Sequence, residues 1–161
     1  MSEYRDDYAR SLDGLRMLVR RDLLAWWKQT EGLGFIEQKR LLEDPFAAIV
    51  ETYGEQAAYA AADYLFLERS LDDTLRELEY PEVADPVGFE KARASFRYAM
   101  RVDDVGSVAE RERAKTQLQA ITNRLVVEPG RRTVELGVAQ AGTRYARVPE
   151  PGACAWCLMV A

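Results

Sequence analysis

The chain has 161 residues, a net charge of −5, 48% hydrophobic and 30% charged residues, enough to bury a core in one domain, or in one domain and part of another. Apolar residues are too many and too evenly spread for disorder, and no run approaches the length of about 18 apolar residues that a membrane span needs. The first residues, Met1-Ser2-Glu3-Tyr4-Arg5-Asp6-Asp7, are acidic and amphipathic, which argues against a secretory signal and for synthesis and use in a cytoplasm.

Residues 3–29 place Tyr4, Tyr8, Leu12, Leu15, Leu18, Val19, Leu23, Trp26 and Trp27 at three- and four-residue spacing. This predicts one amphipathic helix, stopped by Thr30-Glu31-Gly32-Leu33-Gly34. Neighbouring side chains on a helix point about 100° apart, so Trp26 and Trp27 cannot both face one core. One of them is expected to meet another helix or another subunit, and the pair is a candidate interface. The tyrosines Tyr4, Tyr8, Tyr53, Tyr59 and Tyr64 are read as core packing. A second apolar-periodic stretch runs from Phe35 to Leu42 and ends at Glu43, after which Asp44-Pro45 reads as the N-cap and first position of a new helix. That helix carries Phe46, Ile49, Val50 and Tyr53, is open to interruption at Gly54, and continues through Ala57, Ala58, Ala61, Ala62, Leu65 and Phe66. Its small side chains let a neighbouring backbone come close, so it is expected to be central and buried.

After Arg69 the chain turns acidic and meets Pro81 and Pro86, which predicts a connection over 80–88 and a helix from near Asp85-Pro86 with Phe89, Ala92, Phe96 and Met100 on one face. Gly106-Ser107 marks a turn before a charged helix from Val108 to about Val126 with Leu118, Ile121 and Leu125 inward. Pro129-Gly130 breaks it, and a last helix over 131–141 ends at Gly142. Thr143 to Val148 alternates polar and apolar residues in a strand pattern, and Pro149-Glu150-Pro151-Gly152 turns the chain into Ala153 to Ala161. The expected fold class is all-α: a multi-helix bundle of about five to seven helices forming a docking domain over 1–142. Over 143–161 follow a short strand and the start of a Cys-containing C-terminal region. The apolar ending Cys157-Leu158-Met159-Val160-Ala161 has no following chain to cover it, which leads to the expectation of an incomplete or processed product.

Charge is uneven along the chain. Residues 31–90 hold fifteen acidic and four basic side chains, a balance of −11, and residues 91–133 hold ten basic and five acidic, a balance of +5. The simplest reading is helix faces that partly neutralise one another when packed, and a charged interface is the functional one. The overall negative balance disfavours direct binding to bare DNA.

Cys154 and Cys157 form the one arrangement with a chemical signature. Two thiols three positions apart can hold half of a tetrahedral zinc site, pack as inert reduced thiols, or close a redox-active disulfide. The chain has two cysteines and no histidine, so a closed zinc site would need ligands from outside these residues. The absence of histidine also removes Ser-His and Cys-His pairs. Glu68, Asp72, Asp73 and Glu77 fall at helix-surface spacing, and Gly32 and Gly34 lead into Phe35-Ile36 rather than into a phosphate loop. No catalytic residue is assigned.

Tyr145-Ala146-Arg147-Val148-Pro149, followed by Cys154-Ala155-Trp156-Cys157-Leu158-Met159-Val160-Ala161, resembles a segment of the Mu F-like minor head proteins of phages of actinobacteria. In that family an all-helical region precedes a strand, a Val-Pro turn and a Cys-x-x-Cys-Leu stretch. Tyr53-Gly54-Glu55-Gln56-Ala57-Ala58, with Ala60-Ala61-Ala62-Asp63-Tyr64 and Arg69, is similar to the family's alanine-rich helix and its Tyr-Gly start. The resemblance implies a virion protein of low copy number, made in the host cytoplasm and placed inside the head near the portal. It implies the portal protein and the major capsid protein as partners, packaged DNA reached indirectly, no membrane, and multimers formed through the portal. Family members continue to a His-x-x-Cys-x-Cys type cluster, which implies zinc in a longer form and no cofactor within these residues. Genes of this group are also labelled capsid maturation protease. The alternatives are therefore a protease or thiol redox enzyme whose catalytic part lies beyond Ala161, or a cytoplasmic helical adaptor.

Overall fold

The computed structural model describes residues 3–101 and 107–142. They form four helices: α1 (Glu3–Thr30), α2 (Phe35–Ser70), α3 (Phe89–Ala99) and α4 (Val108–Gln140). The all-α class therefore holds among the described residues, but with four helices where five to seven were expected. The predicted strand over 143–148 and the segment bearing Cys154 and Cys157 lie outside the described residues, as does Gly106.

The lower count comes from two prolines that do not end their helices. Pro45 sits inside α2 and Pro129 inside α4. Each lacks an N–H, so one helical hydrogen bond to the residue four places earlier is forfeited and the local cost is high. The apolar stripe nevertheless keeps its phase across both positions. Phe35, Leu42, Phe46, Ile49 and Val50 are buried on α2, and Leu125, Val126, Pro129, Gly130 and Thr133 on α4. Ending either helix would expose the stripe on one side of the proline, and burying one large apolar side chain is worth about 1.5–3 kcal/mol, so tertiary burial wins over the local rule. Gly54 does not interrupt α2 either. A methyl group there would meet Pro129 Cγ at 3.3 Å and Pro86 Cβ at 3.6 Å, so the glycine admits a close approach.

Side-chain pairs fix the helix directions. Arg111 Nη1 donates to the Leu33 carbonyl at 3.3 Å, Gly130 lies against Ala57 and Gly137 against Leu65, and Arg69 reaches Gly137 and Gln140. Positions on α2 and α4 thus advance together, and the two run parallel for their whole length. α1 runs antiparallel to α2, because Gln38 Nε2 donates to Thr30 Oγ1 at 3.3 Å, Tyr53 Oη donates to Asp22 Oδ2 at 2.5 Å, and the Tyr8 and Tyr64 rings stack at 5.0 Å. α3 returns against the central pair, with Arg97 bonded to Glu43, Arg93 to Asp44 and Lys91 to Glu128. The α2–α4 pair is the spine, α1 and α3 lie on opposite flanks of it, and the flanking helices do not touch each other.

Parallel neighbours need a crossover, and residues 71–107 with α3 supply it. Asp72 opens the connector by accepting from the Thr74 amide at 2.8 Å and its hydroxyl at 2.6 Å. Further on, the Ala84 amide donates to Thr133 Oγ1 at 3.0 Å, while Ala84 and Val87 are buried. This anchoring delays α3 to Phe89, three residues beyond the proline that the sequence pattern pointed to. Ser107 accepts from the Glu110 amide at the start of α4, and Gly142, at φ +61°, follows its end in the left-handed conformation that favours glycine.

Ala57, Ala58, Ala61 and Ala62 on α2 have no exposed surface, and the close contact with α4 is made where Ala57 meets Gly130 and Leu65 meets Gly137. A Cβ at Gly130 would lie 2.8 Å from the Ala57 carbonyl oxygen, and backbone cannot move aside as a side chain can. Gly130→Ala is therefore expected to lower the stability by about 1–3 kcal/mol, read as the urea unfolding midpoint. Gly14→Ala, with nothing within 4 Å, is expected to raise it by about 0.5–1 kcal/mol through helix propensity. Equal stability of Gly130→Ala and the parent would show that the helices are further apart.

Candidate docking surfaces

The acidic and basic halves of the chain partly cancel where α3 packs. Glu43–Arg97 at 2.7 Å and Asp44–Arg93 at 2.5 Å join residues from the acidic stretch to residues from the basic one. The second half of α2 and the connector are far more acidic. Residues 51–90 carry eleven acidic side chains and two basic ones, Arg69 and Arg76. Arg76 pairs with Asp73 at 3.0 Å, and Arg69 is turned inward.

Arg69 is buried beneath the helix ends. Its Nη2 donates to the Gly137 carbonyl at 2.5 Å and to Gln140 Oε1 at 3.2 Å, and its Nη1 to the Glu79 carbonyl at 3.1 Å. α4 has no basic residue in its own last turn, so Arg69 supplies from α2 the positive charge that the negative helix end favours. Burial lowers its pKa. The guanidinium also ties the connector to both helix ends, a structural task that no sequence spacing announces.

Above it, Tyr59, Asp63 and Phe66 share one face of α2 at helical spacing. Tyr80 comes over from the connector, donates to Asp63 Oδ1 at 2.6 Å and packs its ring against Phe66, with 5.6 Å between centroids. The aromatic rings stay accessible: Tyr59 is 50% exposed, Phe66 45% and Tyr80 43%. Leu67, four residues after Asp63, is exposed as well, whereas the exposed Leu71 lines a groove with Leu65, Arg69, Gly137 and Val138 at the helix ends. The sequence pattern had placed Tyr59 and Phe66 with the core. They lie one residue, about 100°, around the helix from the buried Ala58 and the half-buried Leu65, so they turn outward while those neighbours turn inward.

A second surface is the groove between α3 and α4. Its volume is about 580 Å³, and it is lined by Ala94, Tyr98, Ala120 and Ile121, with Lys91 and Arg124 at its sides.

The candidate interface pair splits. Trp27 is 3% exposed, with Lys115 Nζ 5.9 Å from its ring centroid, whereas Trp26 is 41% exposed. Cys154 and Cys157 fall outside the described residues, and among those described no three His, Cys, Asp or Glu side chains gather as a metal site. No helix among them is long and apolar enough to cross a membrane.

The model of the VG15 protein family matches residues 2–161 of this chain. The chain belongs to the VG15 protein family. This is a family of viral, phage-type proteins, so the bundle described above is the fold of a VG15 chain. No curated protein and no solved structure matches the sequence. Tyr53 and Gly54, part of the stretch that resembled the phage head family, have structural roles in this VG15 chain: Tyr53 clasps α1 through Asp22, and Gly54 admits Pro129.

Burial, with the hydrogen bond to Asp63 second, pushes the Tyr80 hydroxyl up to about 12. Tyr8 and Tyr64 are also raised, mainly by burial, and Tyr53 mainly by its bond to Asp22. The folded state thus keeps protons that the unfolded chain loses near pH 10.0. The resulting stability is complete below pH 10 and falls as pH rises toward 12. Phenolate absorbance of the folded chain is expected to include a late step near pH 12, from which Tyr80→Phe removes one group. A late step unchanged in Tyr80→Phe would contradict this geometry.

Proposed function

We propose that this VG15 protein is a structural component of phage head assembly, a minor head protein of the Mu F-like type. In this reading it docks on the portal protein and the inner surface of the major capsid protein, and assists packaging or delivery of the genome. Its place is inside the head near the portal, after synthesis in the host cytoplasm. The observation that carries the reading is the set of large apolar side chains that the bundle leaves on its surface, in a chain from a phage-type family: Trp26, Tyr59, Phe66 and Tyr98, with Leu71 64% exposed. Exposed apolar groups gathered into strips and grooves mark sites where proteins meet. The likeness of the segment from Tyr145 to Ala161 to the Mu F-like proteins supports the same role.

Trp26 is the member of the tryptophan pair left available for an interface, while Trp27 holds α1 to the core. Cys154 and Cys157 supply two of the four donors that a closed zinc site requires. No part of the docking role runs through a metal. Zinc bound where two further Cys or His donors are supplied, and lost on Cys154→Ser with Cys157→Ser, is the expected outcome for that pair.

The test is co-expression with the portal protein and the major capsid protein of the same phage. Co-elution with one of them on size exclusion, and presence of the protein in purified heads by mass spectrometry, are expected. Absence from heads together with failure to co-elute with either partner would overturn the reading.

A further inference from the structure

The aromatic strip on α2 and the acidic connector beside it combine two properties that select a partner. Tyr59, Phe66 and Tyr80 are exposed, and a ring face attracts cations as well as apolar groups. Around them Glu55 and Asp63 lie on the same helix face as Tyr59 and Phe66, at spacings of four, four and three, and Glu79 adjoins Tyr80 in sequence. The basic residues of this stretch are already committed, Arg69 to the helix ends and Arg76 to Asp73. The stretch holds no basic residue besides these two, so Glu55, Asp63 and Glu79 set an acidic field around the strip. Such a field repels DNA and anionic lipid and draws in positive groups. Tyr80 is also held rigidly, between Asp63 and Phe66, so its ring is ordered before any partner arrives and less entropy is lost on binding.

We propose that this face, formed by Tyr59, Asp63, Phe66 and Tyr80 with the acidic connector, is the docking site for a protein segment bearing arginine or lysine around an apolar centre. The apolar centre covers Phe66 and Leu67, and the cations meet Glu55, Asp63 and the rings of Tyr59 and Tyr80. The α3–α4 groove is a poorer match for the same partner, since Arg124 lines it and no carboxylate does. The assignment depends on this surface alone, so it stands or falls separately from the portal and capsid reading.

The experiment uses the full chain and three probes: an amphipathic helical peptide with a leucine face flanked by arginines, the same peptide with glutamates for arginines, and duplex DNA. The arginine peptide is expected to bind, with affinity falling as salt is raised and falling about tenfold or more in Phe66→Ser and in Tyr59→Ser. Glu55→Lys weakens it, Tyr98→Ala in the other groove leaves it unchanged, and neither the glutamate peptide nor DNA binds. Circular dichroism checks each fold; should Phe66→Ser unfold, Tyr59→Ser and Glu55→Lys decide, since both positions are solvent-exposed. The proposal is overturned if the arginine peptide does not bind, if it binds the folded variants at this face as tightly as the parent, or if the glutamate peptide binds equally well. It is also overturned if the chain dimerises through this face, shown by a dimer in sedimentation that Tyr59→Ser dissolves and the arginine peptide does not.

Discussion

At Gly130 the backbone of α4 passes so close to the Ala57 carbonyl that the helix pair has no room for a methyl group. That contact sets the geometry of the rest. Two helices meeting through alanine and glycine approach backbone to backbone, and here they do so while running parallel. A parallel pair cannot be joined by a short turn, so the chain must travel back along the bundle before α4 begins. α3 makes that return on one flank, α1 occupies the other, and the bundle takes the form of a central pair with two outriggers.

The crossover has consequences at the far end. The C-terminal ends of α2 and α4 lie side by side, and their free carbonyls point in the same direction, a build-up of partial negative charge. Arg69 answers it from beneath, with Gly137, Gln140 and Glu79 as acceptors. With the connector fastened there, Tyr80 is delivered onto the outer face of α2, where it meets Asp63 and Phe66. The exposed aromatic face is thus a product of the same topology that buries the small-residue seam. Structure and candidate site share one cause.

Much of this was legible as periodicity. The spacing of Val19, Leu23 and Trp27, of Phe46, Ile49 and Val50, and of Leu118 and Leu125 points to buried positions, and all of these are core residues. The alanine cluster of α2 was readable as a place of close approach. Proline was misleading at residues 45 and 129, because a local rule about one missing N–H carries no information on how much apolar surface lies buried on both sides. The two helix ends inferred there do not occur, and the count falls accordingly. The roles of Arg69 and Tyr80 were not readable at all, since their partners lie 10 to 71 and 17 residues away in sequence. Phe66 was misplaced because its neighbour Leu65 truly belongs to the interface with α4, and a shift of one residue around the helix separates the two environments.

The central claim is that α2 and α4 form one cooperative unit whose packing carries α4 unbroken past Pro129. Amide hydrogen exchange under native conditions measures this directly, since it reports which segments open together. The account predicts that amides over 57–65 and over 131–137 are among the slowest to exchange, open together, and do so only with global unfolding. Early exchange over 131–140, independent of α2, would contradict it and would return the chain to a helix broken at Pro129.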